Sequence, residues 1–90
     1  NFTLCDLTDA DFSDADLREA KFVGSLLDKV EFSGANISGA DLRDAKGLEN
    51  AFFVGTNYQN AIIRPKQVEL IKGIGFDVSK MRVMDYVTSQ

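Results

Sequence analysis

A five-residue hydrophobic period runs through the first two-thirds of the chain and constrains its fold more than any other feature. Each unit has one large apolar residue at its centre, and a small residue stands two positions before it. The large residues are Phe2, Leu7, Phe12, Leu17, Phe22, Leu27, Phe32, Ile37 and Leu42. The small residues are Cys5, Ala10, Ala15, Ala20, Ser25, Val30, Ala35 and Ala40. A period of five fits neither an α-helix nor a β-strand, and it is typical of a solenoid, in which similar units stack.

These units resemble the pentapeptide-repeat family, whose motif is a small residue, Asp or Asn, Leu or Phe, and then two polar residues. The pattern covers about residues 1–65 and is clearest in units 10–14, 15–19, 35–39 and 40–44. The resemblance implies an all-β solenoid. The specific form it implies is a right-handed quadrilateral β-helix of about three coils, with four pentapeptides in each coil and one on each side.

Four units in a coil would stack residues that lie 20 apart in the sequence. The predicted stacks are Leu7–Leu27–Leu48, Phe12–Phe32–Phe53, Leu17–Ile37–Tyr58 and Phe2–Phe22–Leu42–Ile63. The last members require a one-residue slip near residues 45–47. We expect Ala45 to fill the small inward slot and Lys46-Gly47 to bulge outward, because burying an unpaired ammonium group is costly and glycine accepts unusual backbone angles.

Pro65 ends the regular repeats, which divides the chain into a β-helix over residues 1–65 and a C-terminal helical cap over residues 66–90. We expect a helix over residues 66–72 that ends at Gly73, and a second short helix that begins with Ser79 as its N-cap. The cap would shield the open end of the last coil. The tail also resembles that of quinolone-resistance pentapeptide-repeat proteins, which implies a dimer formed through this region, on the residues Gln67, Leu70, Ile71 and Gly75.

The composition narrows the function classes. The net charge is −4, and residues 1–65 hold eleven acidic and six basic residues, which argues against direct nucleic-acid binding. No apolar run approaches the roughly 18 residues of a membrane span, so membrane insertion is not predicted. The chain shows no signal-peptide pattern. It has no initiator Met and begins in phase with the repeat, so we interpret it as a fragment or a processed product.

The sequence offers no set of catalytic or metal-ligating residues. It has no histidine, which excludes Ser-His-Asp triads, Cys-His nucleophiles and His-ligated metals. Cys5, the one cysteine, occupies a small inward slot and is expected to be buried and inert. The pairs Asp9/Asp11 and Asp14/Asp16 resemble part of a calcium loop but lack its distal glutamate. We therefore predict no enzyme activity, no cofactor and no metal.

Charges and apolar residues in outward positions define a candidate interaction surface. Two adjacent sides of the solenoid are acidic, while the other two mix acids and bases. Phe52 and Val54 are apolar residues in outward positions, and they either lie under the tail helices or form a contact patch. The candidate residues are Asp6, Asp9, Asp11, Asp14, Asp28, Glu31, Glu49, Phe52 and Val54.

Two functions fit this surface. The first is a non-enzymatic scaffold or protein–protein interaction module with protein partners. The alternative is a DNA-mimicking binder of DNA gyrase or another type II topoisomerase, as the tail resemblance implies. The family resemblance also points to cyanobacteria and chloroplasts, including the thylakoid lumen, and a cytoplasmic location stays open.

Overall fold

The chain winds into stacked coils that are joined by parallel backbone bridges. The computed structural model describes residues 1–85. In the lower coils the bridges pair residues 20 apart, and above the slip they pair residues 21 apart, as predicted. They form four ladders, each beginning five residues after the last: Asp6–Leu26–Lys46, Asp11–Glu31–Phe52, Asp16–Asn36–Asn57 and Lys21–Asp41–Ile62.

A tight turn closes each five-residue unit. The N–H of the small residue donates to the carbonyl of the large residue three positions earlier, as in Ala10 N to Leu7 O (2.8 Å). The residue before the small one has a positive φ, for example 66° at Asp9 and 61° at Lys29. Positive φ at this place is the pattern of a type II turn and favours Gly, Asn and Asp. The turn thus directs each following unit onto a new side of the coil.

The large residues stack inside the coils in the predicted register. Phe12 lies on Phe32 with ring centroids 5.8 Å apart, and Phe32 lies on Phe53 at 5.3 Å. Leu27, Phe32, Ile37 and Leu42 are completely buried, whereas the large residues of the first coil are only partly buried. Cys5 belongs to that first coil and is half-buried, so the prediction that it is buried was wrong.

The slip lies within the predicted residues 45–47, but the prediction that Lys46 belongs to the bulge is wrong, because Lys46 pairs with Leu26 in the regular ladder and the extra residue follows it. Ala45 is buried, Lys46 is exposed, and Gly47 takes a φ of 83° immediately before a 3₁₀ turn at Leu48–Asn50. A Cβ at Gly47 would stand 2.7 Å from the backbone nitrogen of Asp28. The extra residue is therefore accommodated by a glycine that contacts the coil below at backbone distance.

The tail combines helical turns with a strand. A 3₁₀ turn at Pro65–Gln67 leads into α1 (Val68–Gly73), and a second 3₁₀ turn covers Val78–Lys80. The helix predicted to begin at Ser79 is wrong, because Arg82–Val83 forms strand β2, parallel to β1 (Ile62–Ile63). Its turn begins at Val78, and Asp77 is the N-cap whose side chain accepts from the Ser79 N–H. The open edge of β1 offers this segment a backbone ladder that a helix could not use. Met84 follows the strand, and the last part of the cap predicted over residues 66–90, residues 86–90, lies outside the described residues.

Side chains tie the tail to the last coil. The buried Gln67 amide donates to Leu42 O (3.0 Å), and its oxygen accepts from the Arg64 N–H (2.7 Å). The ring of Phe76 stacks on Tyr58 with centroids 4.1 Å apart. The Tyr58 hydroxyl oxygen in turn accepts from the Asp77 N–H (2.8 Å).

Two consecutive leucines test the inward and outward assignment. Leu27 is completely buried, and Leu27→Ala should lower the free energy of unfolding by about 2–5 kcal/mol because it leaves a cavity. Leu26 is 39% exposed on the ladder, and Leu26→Ala should cost less than about 1 kcal/mol. Chemical denaturation of both variants measures the difference. Equal losses would contradict the assignment of inward and outward positions.

Gly47→Ala tests the slip. It should lower the free energy of unfolding by at least about 1–2 kcal/mol, since alanine is strained at a φ of 83° and its Cβ would press on the backbone of Asp28. Gly73→Ala is the matched control, because a Cβ there meets nothing within 4 Å. In α1 that change should leave stability unchanged or raise it by up to about 1 kcal/mol. An innocuous Gly47→Ala would mean that the bulge lies elsewhere.

Candidate functional site

The ladders bring the candidate residues together on two neighbouring sides. The first acidic side carries Asp6, Asp9, Asp28 and Glu49, and the second acidic side carries Asp11, Asp14 and Glu31 with Phe52 and Val54 above them. On the second acidic side, Asp11, Glu31 and Phe52 are successive rungs of one ladder. Its outward positions hold no lysine or arginine.

The first acidic side is less acidic than the sequence pattern indicated. The bridge between Leu26 and Lys46 places Lys46 on the ladder that begins with Asp6 and continues through Leu26. Lys46 is exposed there. Together with Lys29 it gives this side two ammonium groups against four carboxylates. Residue 46 lies 20 positions after residue 26, so the same count of 20 could have assigned Lys46. The slip at this point obscured it.

The ladder acids shape the backbone as well as carrying charge. Asp6 accepts from the N–H and the hydroxyl of Thr8 at 3.0 and 2.6 Å. Asp11 does the same with Ser13, at 2.9 and 2.6 Å. The side-chain hydrogen bond from the hydroxyl, followed by the one from the backbone N–H, holds the pKa of Asp6 and of Asp11 below the usual value. Both carboxylates are therefore firmly ionised and locked in position.

The acids at the corners of the coil, where one side turns into the next, do not hydrogen-bond to a turn through their carboxylates. Asp9 and Asp14 lie at positive φ, and their carboxylates have no hydrogen-bond or ion-pair partner within residues 1–85. Glu49 also has no partner in this part of the chain, whereas Asp28 accepts from the Asn50 amide at 2.6 Å. The corner carboxylates are thus available to a ligand from outside the coil.

The arginines of the two mixed sides are engaged with neighbouring acids. Arg18 pairs with Asp16 at 2.7 Å, and Arg43 pairs with Asp41 at the same distance. Arg64 contacts Asp44 at 3.3 Å and Asp85 at 3.2 Å, which also fastens the end of the described tail. These pairings neutralise the mixed sides locally, so the negative potential of the coil is concentrated on the second acidic side.

Phe52 and Val54 form an apolar patch at the top of the second acidic side. They are 50% and 80% exposed, so the alternative in which the tail helices cover them is wrong. The chain after Gly73 instead crosses the inward residues, with Phe76 against Phe53 and Tyr58. The patch shares the second acidic side with Asp11, Asp14 and Glu31, and Phe52 is the rung directly above Glu31.

Other kinds of site were sought in the same residues. No group of three or more His, Cys, Asp or Glu side chains within residues 1–85 is arranged to hold a metal ion. Over the same range, none of the helices has the length and apolar character needed to cross a membrane.

The ladder aspartates make a prediction about pH. Their folded-state pKa lies below the usual 3.8, so their contribution to stability is complete above that pH and is lost as the pH falls through the lowered pKa. The triple variant Asp6→Asn, Asp11→Asn, Asp16→Asn should lose stability less steeply below pH 3.8. Asn36 already accepts from the Ser38 N–H (3.0 Å), so asparagine preserves the turn. Thermal melts from pH 7 to pH 2 measure the slopes, and parallel curves would contradict the role of these carboxylates.

Comparison with known proteins agrees with the geometry over the regular coils. A family model described as pentapeptide repeats matches eight copies over residues 1–46. The match ends at Lys46, where the slip interrupts the period. No curated protein matches the chain. Because the matched repeats cover more than half of its residues, the chain belongs to the pentapeptide-repeat family.

Proposed function

We propose that the chain is a non-enzymatic scaffold, a rod that docks a basic protein partner on its second acidic side. The observation that carries this proposal is the group of carboxylates Asp11, Asp14 and Glu31 on a side without a base, next to the exposed patch of Phe52 and Val54. Pentapeptide-repeat proteins are generally structural or binding proteins, which favours this class.

The rigidity of the rod supports such docking. Backbone hydrogen bonds with N···O distances of about 2.7–3.1 Å join each coil to the next, and buried side chains fill the interior. A partner would therefore meet carboxylates that are already fixed in space, so little conformational entropy is lost in ordering them. Complementary charge would chiefly raise the association rate and the specificity.

The form of the rod is part of the proposal. Four ladders at five-residue intervals suit a coil with four sides, and parallel crossover connections are right-handed in nearly all proteins. We propose a right-handed coil of square section, which a crystal structure would test. The chloroplast or thylakoid location stays a prediction.

A DNA-mimicking inhibitor of gyrase is the second candidate function. The base-free carboxylates of the second acidic side favour it, because they present negative charge on successive coils. Phe52 argues against this function. It places an apolar ring on the third rung of the Asp11–Glu31–Phe52 ladder, where a mimic of the phosphate backbone needs another charge. Inhibition of supercoiling by purified gyrase would favour this function, and its absence at high protein concentration would exclude it.

Charge reversal at the corners tests the docking proposal. Asp9 lies at the turn where the first acidic side meets the second, and Asp14 lies at the turn that ends the second, so the two corners bound that side. Asp9→Lys/Asp14→Lys should abolish recovery of partners in a cross-linked pull-down analysed by mass spectrometry. The double change should preserve the fold, because Lys29 already occupies an equivalent corner at a φ of 61°. Its effect should also shrink at high salt, as expected for exposed charges.

Glu19→Lys is the matched control. Glu19 has the same corner geometry, with a φ of 60°, but lies among the mixed charges beside Arg18. Partners recovered by the parent protein should also be recovered by Glu19→Lys. If the double variant keeps the same partners as the control, docking on the second acidic side is wrong.

A further inference from the structure

The four sides of the last coil differ in how the tail, as described within residues 1–85, contacts their upper edges. One side, at Ile62–Ile63, pairs with strand β2, and a second bonds to the tail through Asn60 N–H and Lys80 O (2.7 Å). A third side is in contact with α1 at the Leu48–Asn50 turn. The fourth side, residues 51–55, has no strand of the described tail beside it.

The backbone of that fourth side has unpaired hydrogen-bonding groups. In the coil below, Phe32 N donates to Phe52 O and Gly34 N donates to Val54 O, both at 2.8 Å. The equivalent groups of the last coil are the N–H of Phe53 and the N–H of Gly55, which have no acceptor within residues 1–85.

One carbonyl completes this open edge. Phe52 N donates to Val30 O at 3.0 Å, whereas the equivalent carbonyl of Ala51 accepts no hydrogen bond in the described residues. Buried backbone groups are almost always paired, so these three groups are expected to meet solvent. They form a strand edge open to another chain.

The edge lacks the usual protection against strand pairing. Residues 51–55 read Ala-Phe-Phe-Val-Gly, without a charge or a proline to block an incoming strand. The outward Phe52 and Val54 are exposed. A groove of about 500 Å³ lies beside Val54, and its lining includes Phe53, Gly73, Ile74 and Phe76.

Two further residues of the groove suit a close approach by another chain. A Cβ at Gly73 would meet nothing within 4 Å, so packing within the chain does not require glycine there. Glu49 also lines the groove and has no partner in the described chain, and Glu31 lies one rung below Phe52. These two carboxylates would attract basic residues beside an apolar strand.

We propose that this open edge binds an extended peptide of a partner protein by parallel β-strand addition. The peptide would pair with the backbone of residues 51–55 as β2 pairs with β1. Its apolar side chains would lie over Phe52 and Val54, and flanking Lys or Arg residues would lie near Glu31 and Glu49. The inference rests on the proposed interaction function and specifies the chemistry of the partner.

Amide hydrogen exchange with a synthetic peptide tests the proposal. The probe is acetyl-Lys-Val-Thr-Val-Thr-Val-Lys-amide at saturating concentration, added to the full chain. Exchange at the amides of Phe53 and Gly55 should slow by about tenfold or more, as expected for newly formed strand bonds. The amide of Tyr58, which is also unpaired in the described residues, should not change and is the internal control.

Matched variants separate strand addition from charge attraction. Val54→Lys should weaken peptide binding at least about tenfold, because it places a positive charge on the edge, which repels the lysines of the peptide. Leu4→Lys is the control, since Leu4 is equally exposed (78%) but lies in the first coil. A peptide with alternate N-methylated amides should not protect Phe53 or Gly55, and a Glu-flanked peptide should bind at least about tenfold more weakly.

The outcomes distinguish this inference from the docking proposal. Peptide binding that is lost in Asp9→Lys/Asp14→Lys but never protects the amides of Phe53 and Gly55 would overturn strand addition and leave acidic docking standing. Protection of both amides in that double variant would support strand addition independently. Protection without peptide, together with self-association, would assign the edge to a second copy and overturn the peptide proposal. An absence of peptide binding and of protection would also overturn it.

Discussion

The backbone hydrogen bonds between successive coils are the interaction on which the rest of the structure depends. The backbone N and O atoms of residues about 20 apart lie 2.7–3.1 Å from each other. This fixed register places every outward side chain directly above its equivalent in the coil below. The register in turn requires a tight turn at the end of every unit. The ladder acids stabilise those turns by accepting from the residue two positions later. Surface charge and backbone geometry are thus coupled in the same residues, because Asp11 both closes a turn and contributes to the second acidic side.

The sequence was sufficient to predict whatever repeats locally. The period located the inward residues, the 20-residue stacking and the slip, because burial of a large side chain and strain at a glycine act at single positions. The strand at Arg82–Val83 could not be predicted in this way. Ser79 and its apolar neighbours favour a helix start, but the unpaired edge of Ile62–Ile63, some 20 residues earlier, overrides that local preference. The exposure of Phe52 depends similarly on where the tail crosses the coil, which no local pattern specifies.

The candidate site shows the same division. The acidic sides follow from the period alone, and their residues do lie on adjacent ladders. Lys46 was not assigned to the first acidic side because it was grouped with the slip, although the phase of the repeat changes only after it. Which carboxylates are available to a ligand also depends on the three-dimensional structure. The carboxylates of Asp6 and Asp11 accept from their own turns, whereas those of Asp9 and Asp14 have no partner in the described chain, although all four are aspartates of the same repeat.

The acidic docking surface and the open edge are contiguous, and this bears on how a partner would bind. Phe52 is the top rung of the ladder that begins with Asp11 and Glu31, and its backbone belongs to the open edge. A partner with an apolar extended segment and a basic surface beside it would engage both at once. The second contact would then form within a complex, at a high effective concentration, and two weak contacts would combine into a stable one. Since the coil is rigid, such a partner must match the spacing of the two surfaces, so the geometry of the rod would select it as much as its charge does.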